Sequence, residues 1–198
     1  MNRVSIKTNA KEVFKKQYGM ALLASFLPVI IAGAAANLFI VGFILVYPLY
    51  VGQALMFMMF SKRDNVELDT LFDGYRGNKF GKFLLPMLLR DVFIFLWTLL
   101  LIVPGIIKSL SYALVPYLLA DDDIDINDDV ITRSREWMNG YKWELFKVYL
   151  SFIGWHILSL FTLGILSIFY VSPYLNQTLA LFYQEVKAER SVKAITYE

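Results

Sequence analysis

The chain contains no cysteine and a single histidine among its 198 residues. Disulfides, thiolate nucleophiles and cysteine-bearing metal sites are therefore excluded, and one histidine cannot build the usual zinc ligand sets. Charge is also scarce. Asp, Glu, Lys and Arg make up 18% of the residues, and the formal net charge is only +2. Nothing in that balance points to a nucleic-acid partner. The G-x-S-x-G and H-E-x-x-H motifs of hydrolases and metalloproteases are missing as well, so no catalytic centre, metal or cofactor is expected. What is abundant is apolar. Hydrophobic residues reach 58% and aromatics 16%, with a mean hydropathy of +0.53. A soluble domain of this length could not hide so much apolar surface, whereas a bilayer removes the need to hide it. The uncharged runs recur, which indicates a polytopic membrane protein. The opening "MNRVSIKTNAKEVFKKQYG" is polar and basic, and the run that follows, Met20 to Phe60, is too long for a signal peptide core. It reads as a spanning hairpin.

Six apolar helices are expected, over Met20–Ala36, Leu38–Phe60, Phe83–Val103, Ile106–Ala120, Phe146–Leu163 and Ile165–Tyr183. At 1.5 Å per residue the fourth reaches only about 22 Å, short of the roughly 30 Å hydrocarbon core. The six pair as three hairpins, with turns at Gly33–Asn37, Val103–Ile106 and Thr162–Ile165, where Gly and Pro stop a helix and permit reversal. All 19 Lys and Arg except Arg90 and Lys108 fall in the N-terminal segment, the two segments between hairpins or the tail, counting Lys147 at the very start of the fifth helix with the segment before it. Basic residues resist translocation, so these four segments and both termini are expected in the cytoplasm. The second helix of each hairpin carries a proline, Pro48, Pro116 or Pro173. Each hairpin also follows a polar segment with helical apolar spacing: Ile6, Ala10, Val13, Phe14 and Tyr18; then Leu68, Leu71, Phe72 and Tyr75; then Val130, Ser134, Trp137, Met138 and Tyr141. The expected fold is an all-α membrane protein, one integral membrane domain over 1–198. It consists of three hairpins, each preceded by a cytoplasmic amphipathic helix at the membrane interface, with a threefold internal repeat at 1–62, 63–123 and 124–190.

Candidate site residues follow from polar groups at apolar positions. Arg90 and Asp91 lie about a third of the way along the third apolar helix. Charges at that depth are functional candidates by default. Adjacent residues diverge by about 100° on a helix, so the two are not expected to pair with each other, and Asp91 should find its partner on another helix. Lys108 should snorkel to the outer interface. His156, in the fifth helix, is expected to make an interhelical hydrogen bond. Asn176 and Gln177 follow Pro173 and could line a site at a broken helix. Each of the three prolines frees a carbonyl one turn earlier, on Ile44, Tyr112 and Phe169, and a plain kink is the favoured reading of these breaks.

The acidic turn Asp121, Asp122, Asp123 and Asp125 matches the first ligand positions of an EF-hand, but Asp128 and Ser134 occupy the required glycine and glutamate positions. Capping of the next helix by Asp125 or Asn127 is the simpler reading, with Asp128 and Asp129 complementing its dipole. "LDTLFDGYRG" (Leu68–Gly77) resembles a fragment of the acidic motif of alcohol phosphatidyltransferases but lacks the downstream aspartates.

The run "LWTLLLIVPGIIKSLSYALVPYLLADD" (Leu96–Asp122), then "ITRSREWMNGYKWELF" (Ile131–Phe146) and "LSFIGWHILSLFTLGI" (Leu150–Ile165), resembles domain-of-unknown-function family 975. "LFDGYR" (Leu71–Arg76) and "VSPYLNQTLALFYQE" (Val171–Glu185) fit as well. The family usually has a proline where Asp123 stands. The resemblance implies a bacterial plasma-membrane protein, related to the membrane portion of some glycerophosphodiester phosphodiesterases and, in some members, associated with bacteriocin self-protection. It supplies no catalytic residues. Three functions stay open, of which an intramembrane enzyme is disfavoured by the lone histidine and the absence of cysteine. One is a non-catalytic envelope accessory that binds the lipid bilayer and a lipid, peptide or membrane-protein partner. The alternative is a small-solute or ion transporter or channel working through Arg90 and Asp91, for which a homo-oligomer could supply the polar pathway.

Overall fold

The structure is a computed structural model. It describes residues 3–35, 40–62, 66–124 and 129–196, and side chains throughout these except at 40–43 and 192–196. Every element among the described residues is helical. The order is α1 (Arg3–Lys16), α2 (Tyr18–Ala35), α3 (Ile40–Phe60), a 3-10 helix (Leu68–Tyr75), α4 (Lys79–Leu100), α5 (Ile102–Ser111), α6 (Val115–Ala120), α7 (Val130–Trp137), α8 (Lys142–Phe161), a π-helical turn (Ser167–Val171) and α9 (Ser172–Thr196). Four stretches are long and apolar enough to cross a membrane: Tyr18–Ala35, Lys79–Leu100, Ile102–Ala120 and Lys142–Phe161. Ile44–Phe60 is a shorter apolar helix.

The core is built on α3 and α9. Leu49, Met56 and Phe57 of α3 and Gln177, Phe182 and Tyr183 of α9 are all buried. The peripheral helices turn apolar side chains outward. Phe95, Leu99 and Leu100 of α4 and Leu160 and Phe161 of α8 are exposed, Phe161 by 82%. Such a surface is unfavourable in water and suits lipid tails. Leu101–Val103 and Leu163, just beyond the ends of these two helices, are exposed as well.

The fourth apolar helix begins earlier than its sequence suggested. The chain reverses at Leu101, which is extended, and helix resumes at Ile102. Pro104 thus falls in the first turn of α5, where its missing N–H has no helical partner to lose. Gly105 lets α5 close on α4: a Cβ there would meet Thr98 Oγ1 at 2.2 Å. The stretch through Ala120 then has 19 residues, about 28 Å at the standard rise, which removes the shortfall. The turn at Thr162–Ile165 is where expected. Leu163 and Gly164 adopt positive φ, and the Gly164 N–H closes onto Ser159 O at 2.9 Å, a left-handed helix stop. Of the turn expected at Gly33–Asn37, Gly33–Ala35 are still in α2 and residues 36–37 lie outside the described residues.

The polar segments form helices whose apolar stripes pack on protein. In α1, Ile6, Ala10 and Phe14 are buried. Lys7 Nζ donates to Ser151 Oγ at 2.9 Å and Arg3 donates to Lys147 O at 3.3 Å, fastening α1 to α8. The second segment winds as a 3-10 helix rather than an α-helix, with Leu71 buried against α3. In α7, Val130 and Ser134 are buried, and Met138 beyond it is fully so. Its start is capped by Asp129, whose carboxylate accepts from Thr132 N at 3.1 Å. That hydrogen bond and the Thr132 hydroxyl hold the Asp129 carboxyl below its usual range. Asp125, Asn127 and Asp128 lie outside the described residues. The opposite end of α7 receives Arg190 of α9, whose guanidinium donates to the carbonyls of Glu136, Trp137 and Asn139, placing a cation at a negative helix end.

Candidate functional site

A half-open cavity of about 570 Å³ lies among α3, α4, α5–α6, α8 and α9. Its apolar wall includes Phe57, Ile94, Ile106, Leu110, Phe146 and Leu179. Its polar groups are Tyr50, Gln53, Arg90, Ser109, Tyr149 and Asn176, with Tyr112, Pro116 and Tyr117 beside them. Arg90 is the one charged residue among those that line it. Asp91 is not among them.

Arg90 and Asp91 do pair with each other, contrary to the expectation from helix geometry. Arg90 Nη2 lies 2.7 Å from Asp91 Oδ1 and Nε lies 2.8 Å from the same oxygen. The long guanidinium arm reaches around the angle between adjacent positions, and pairing in an apolar setting lowers the cost of both charges. On α3, Tyr47 lies within electrostatic reach of Asp91. Arg90 is thus held from behind while facing the cavity. Tyr50 and Tyr149 lie within electrostatic reach of it.

Of the other sequence candidates, Asn176 joins Arg90 at the cavity and also donates to Ser25 Oγ at 3.3 Å. Gln177 does not join them. It is buried and donates to Phe57 O at 3.2 Å, and its Oε1 has no partner. His156 sits on the exposed face of α8, away from the cavity, and makes no interhelical hydrogen bond among the described residues. The reason is that α8 is peripheral and buries only its Leu145–Val148–Phe152–Ser159 stripe. Lys108 rests over the Trp97 ring, 4.7 Å from its centroid.

Around the prolines, carbonyls one turn earlier or beside them are taken up by neighbours. Tyr112 O, one turn before Pro116, accepts from Val115 N at 3.2 Å. Phe169 O, one turn before Pro173, accepts from the Tyr18 hydroxyl at 3.0 Å, and the π-helical turn just ahead of Pro173 absorbs the irregularity. Next to the carbonyl freed by Pro48, Leu45 O accepts from the Tyr75 hydroxyl. Pro28, inside α2, follows the same rule: Ala24 O accepts from Gln53 Nε2 at 2.8 Å. Satisfying these carbonyls is what an apolar surrounding requires.

A second, charged cleft of about 450 Å³ gathers the ends of α3 and α6, the 3-10 helix, the start of α4, and α9. It brings "LFDGYR" against the acidic turn, which the sequence did not foresee. Arg76 pairs with Asp69 at 2.8 Å and Lys79 with Asp73 at 2.5 Å. Lys187 bridges Asp121 and Asp123, each at 2.6 Å, and the Tyr183 hydroxyl donates to Asp121 at 2.6 Å. Burial pushes the Asp121 carboxyl up, but Lys187 and Tyr183 outweigh it and hold it below the usual carboxylate range. Burial likewise pushes Lys187 down, and its two aspartates reverse that and hold it above the usual lysine range. Asp125 lies outside the described residues. Among the described residues, no group of three His, Asp or Glu is arranged to hold a metal ion.

The sequence reading missed Tyr50, Tyr149 and Gln53 at the cavity and Lys187 in the cleft. Tyrosine is common near the ends of membrane helices and so carried no signal. The helical offset of Tyr50 and Gln53 from Phe57, which places all three on one face of α3, was the available clue.

Comparison with known proteins gives one family. Residues 99–190 match the family described as protein of unknown function (DUF975). The match begins at the end of α4 and runs through α9 to Arg190. No curated protein and no solved structure matches the chain.

Proposed function

We propose that the protein is a bacterial plasma-membrane protein that acts by binding rather than by catalysis, holding a lipid, peptide or membrane-protein partner at the cavity that Arg90 faces. In this reading the six apolar segments form three hairpins, both termini face the cytoplasm, and the charged cleft sits on the cytoplasmic side. Envelope upkeep, including self-protection against a bacteriocin, is the role such a binder would serve. The observation that carries the reading is the cavity itself. Its volume of about 570 Å³ falls within the range of ligand pockets, about 300–1,000 Å³, and its apolar wall with a few convergent polar groups has their usual composition.

The test is native mass spectrometry of the protein released gently from its host membrane. A co-purifying species of defined mass is expected on the wild type. It should be missing from Ala113→Phe, which fills the cavity wall. Wild-type protein without any bound species, or an adduct that persists unchanged in the filled variant, would sink the reading. A second reading, transport, draws on Arg90 and Asn176 lining the cavity beside Pro116. It requires solute flux in proteoliposomes that Asp91→Asn abolishes in a protein still inserted and folded.

A further inference from the structure

The next step rests on the binding reading and names the chemistry of the ligand. We infer that the cavity receives the oxyanion head of a single-chain amphiphile, a carboxylate or phosphate on one apolar chain, at a receptor formed by Arg90, Tyr50 and Tyr149.

The first observation is a surplus of donors around one positive charge. Both Nε and Nη2 of Arg90 are committed to Asp91 Oδ1. The N–H groups of Nη1 have no protein acceptor among the described residues, and neither do the hydroxyls of Tyr50 and Tyr149. All three residues line the cavity. Donors left unpaired in an apolar cleft are costly, and native structures seldom leave them so without water or a ligand. A ligand that satisfies guanidinium and phenol donors together is rich in acceptors and negatively charged. A peptide backbone, which brings as many donors as acceptors, is a poorer complement.

The second observation is the placement of Asp91. Asp91 pairs with Arg90 but is not among the residues that line the cavity. It therefore orients the guanidinium without presenting a negative charge to an incoming anion. The third is size and wall chemistry. Away from Arg90 the cavity is faced by Ile106, Leu110, Phe146 and Leu179, which offer an apolar chain contact but no hydrogen bonds. A methylene fills a volume close to the roughly 30 Å³ of a liquid water. On that scale a cavity of about 570 Å³ admits one chain of about a dozen carbons with its head group.

The experiment uses the full chain in phosphatidylcholine nanodiscs and four probes: laurate, dodecyl phosphate, dodecanol and acetate. Bound probe is counted by native mass spectrometry, and the shift in Tm is read on the same samples. One laurate or one dodecyl phosphate per chain is expected. Each should bind roughly ten-fold or more tighter than dodecanol, as loss of a charge-assisted hydrogen bond implies. Whichever of the two binds tighter names the head group. Tyr50→Phe and Tyr149→Phe should each weaken binding several-fold while leaving the Tm of the empty protein unchanged. These two variants carry the test, because Arg90→Gln leaves Asp91 unpaired and can fail to fold. Dodecanol binding as tightly as laurate, or phenylalanine variants binding like wild type, overturns the oxyanion receptor while sparing the binding reading. Acetate binding as tightly as laurate overturns the amphiphile and points to a free aqueous anion. Failure of all four probes overturns this inference, whereas the binding reading falls only if the wild type from its host membrane carries no bound species.

Discussion

A guanidinium midway along an apolar helix is stable only if its charge is matched and its donors are used. For Arg90 the adjacent Asp91 supplies the match. This arrangement makes a definite prediction for stability. Asp91→Asn should destabilise the protein by about 2–3 kcal/mol, because it leaves a cation uncompensated among apolar neighbours. The double replacement Arg90→Met with Asp91→Leu should cost clearly less than Asp91→Asn alone, since no charge is then left without a partner. The check is a double-mutant cycle on Tm in nanodiscs. If the double variant loses as much as the sum of the two singles, the pair is not coupled. The importance of Arg90 was legible because a charge interrupts an apolar run. Its pairing with Asp91 was not, since helix geometry describes where Cβ atoms point and says little about how far a long side chain can bend back. The tyrosines around it were invisible for the opposite reason: nothing in their spacing departs from an ordinary membrane helix.

At the scale of elements, two glycines decide how closely α3 meets the 3-10 helix. A Cβ on Gly52 would lie 2.1 Å from Leu71 O, and one on Gly74 would lie 2.7 Å from Pro48 O. Both obstacles are backbone, so neither can swing aside. Gly52→Ala should therefore cost roughly 2–3 kcal/mol by forcing the two helices apart. Gly154 in α8 has nothing within 4 Å of its notional Cβ. Gly154→Ala should be neutral or stabilising by up to about 1 kcal/mol, the usual gain in a helix interior. Thermal unfolding of both variants side by side is the measurement, and equal Tm values would refute the close approach. The long apolar helices were legible in the sequence because a run of uncharged residues is its own signal. The early start of α5 was not, because Pro104 and Gly105 look like a turn in sequence, whereas the structure uses one for a helix start and the other for close packing. The apolar stripes of α1 and α7 were correctly located. Periodicity alone could not say whether those stripes would meet lipid or protein, and Ile6, Phe14 and Met138 are buried in protein.

Across the whole molecule, polarity is divided between two ends. Leu99–Val103 and Leu160–Leu163 leave one end bare and apolar. The other end concentrates Lys62, Arg76, Lys79 and Lys187 against Asp69, Asp73 and Asp121–Asp123. Lys187 joins the last helix to the turn after α6, residues far apart in the chain, so this bridge reports on assembly of the whole bundle. Its two partners titrate in opposite directions. Asp121 is held below its ordinary value of 3.8. Its contribution is therefore present above that value and is lost as pH falls through the depressed folded pKa. Lys187 is held above its ordinary value of 10.5. Its contribution is present below that value and is lost as pH rises through the elevated folded pKa. The bridge should then stabilise the protein over a broad plateau, about pH 5 to 9, and fade at both extremes. Lys187→Met removes it. The gap in Tm between wild type and this variant should be widest on the plateau and should narrow in acid and in strong alkali. A gap that stays constant from acid to alkali would mean that Lys187 acts through packing of its apolar stem instead of through its charge.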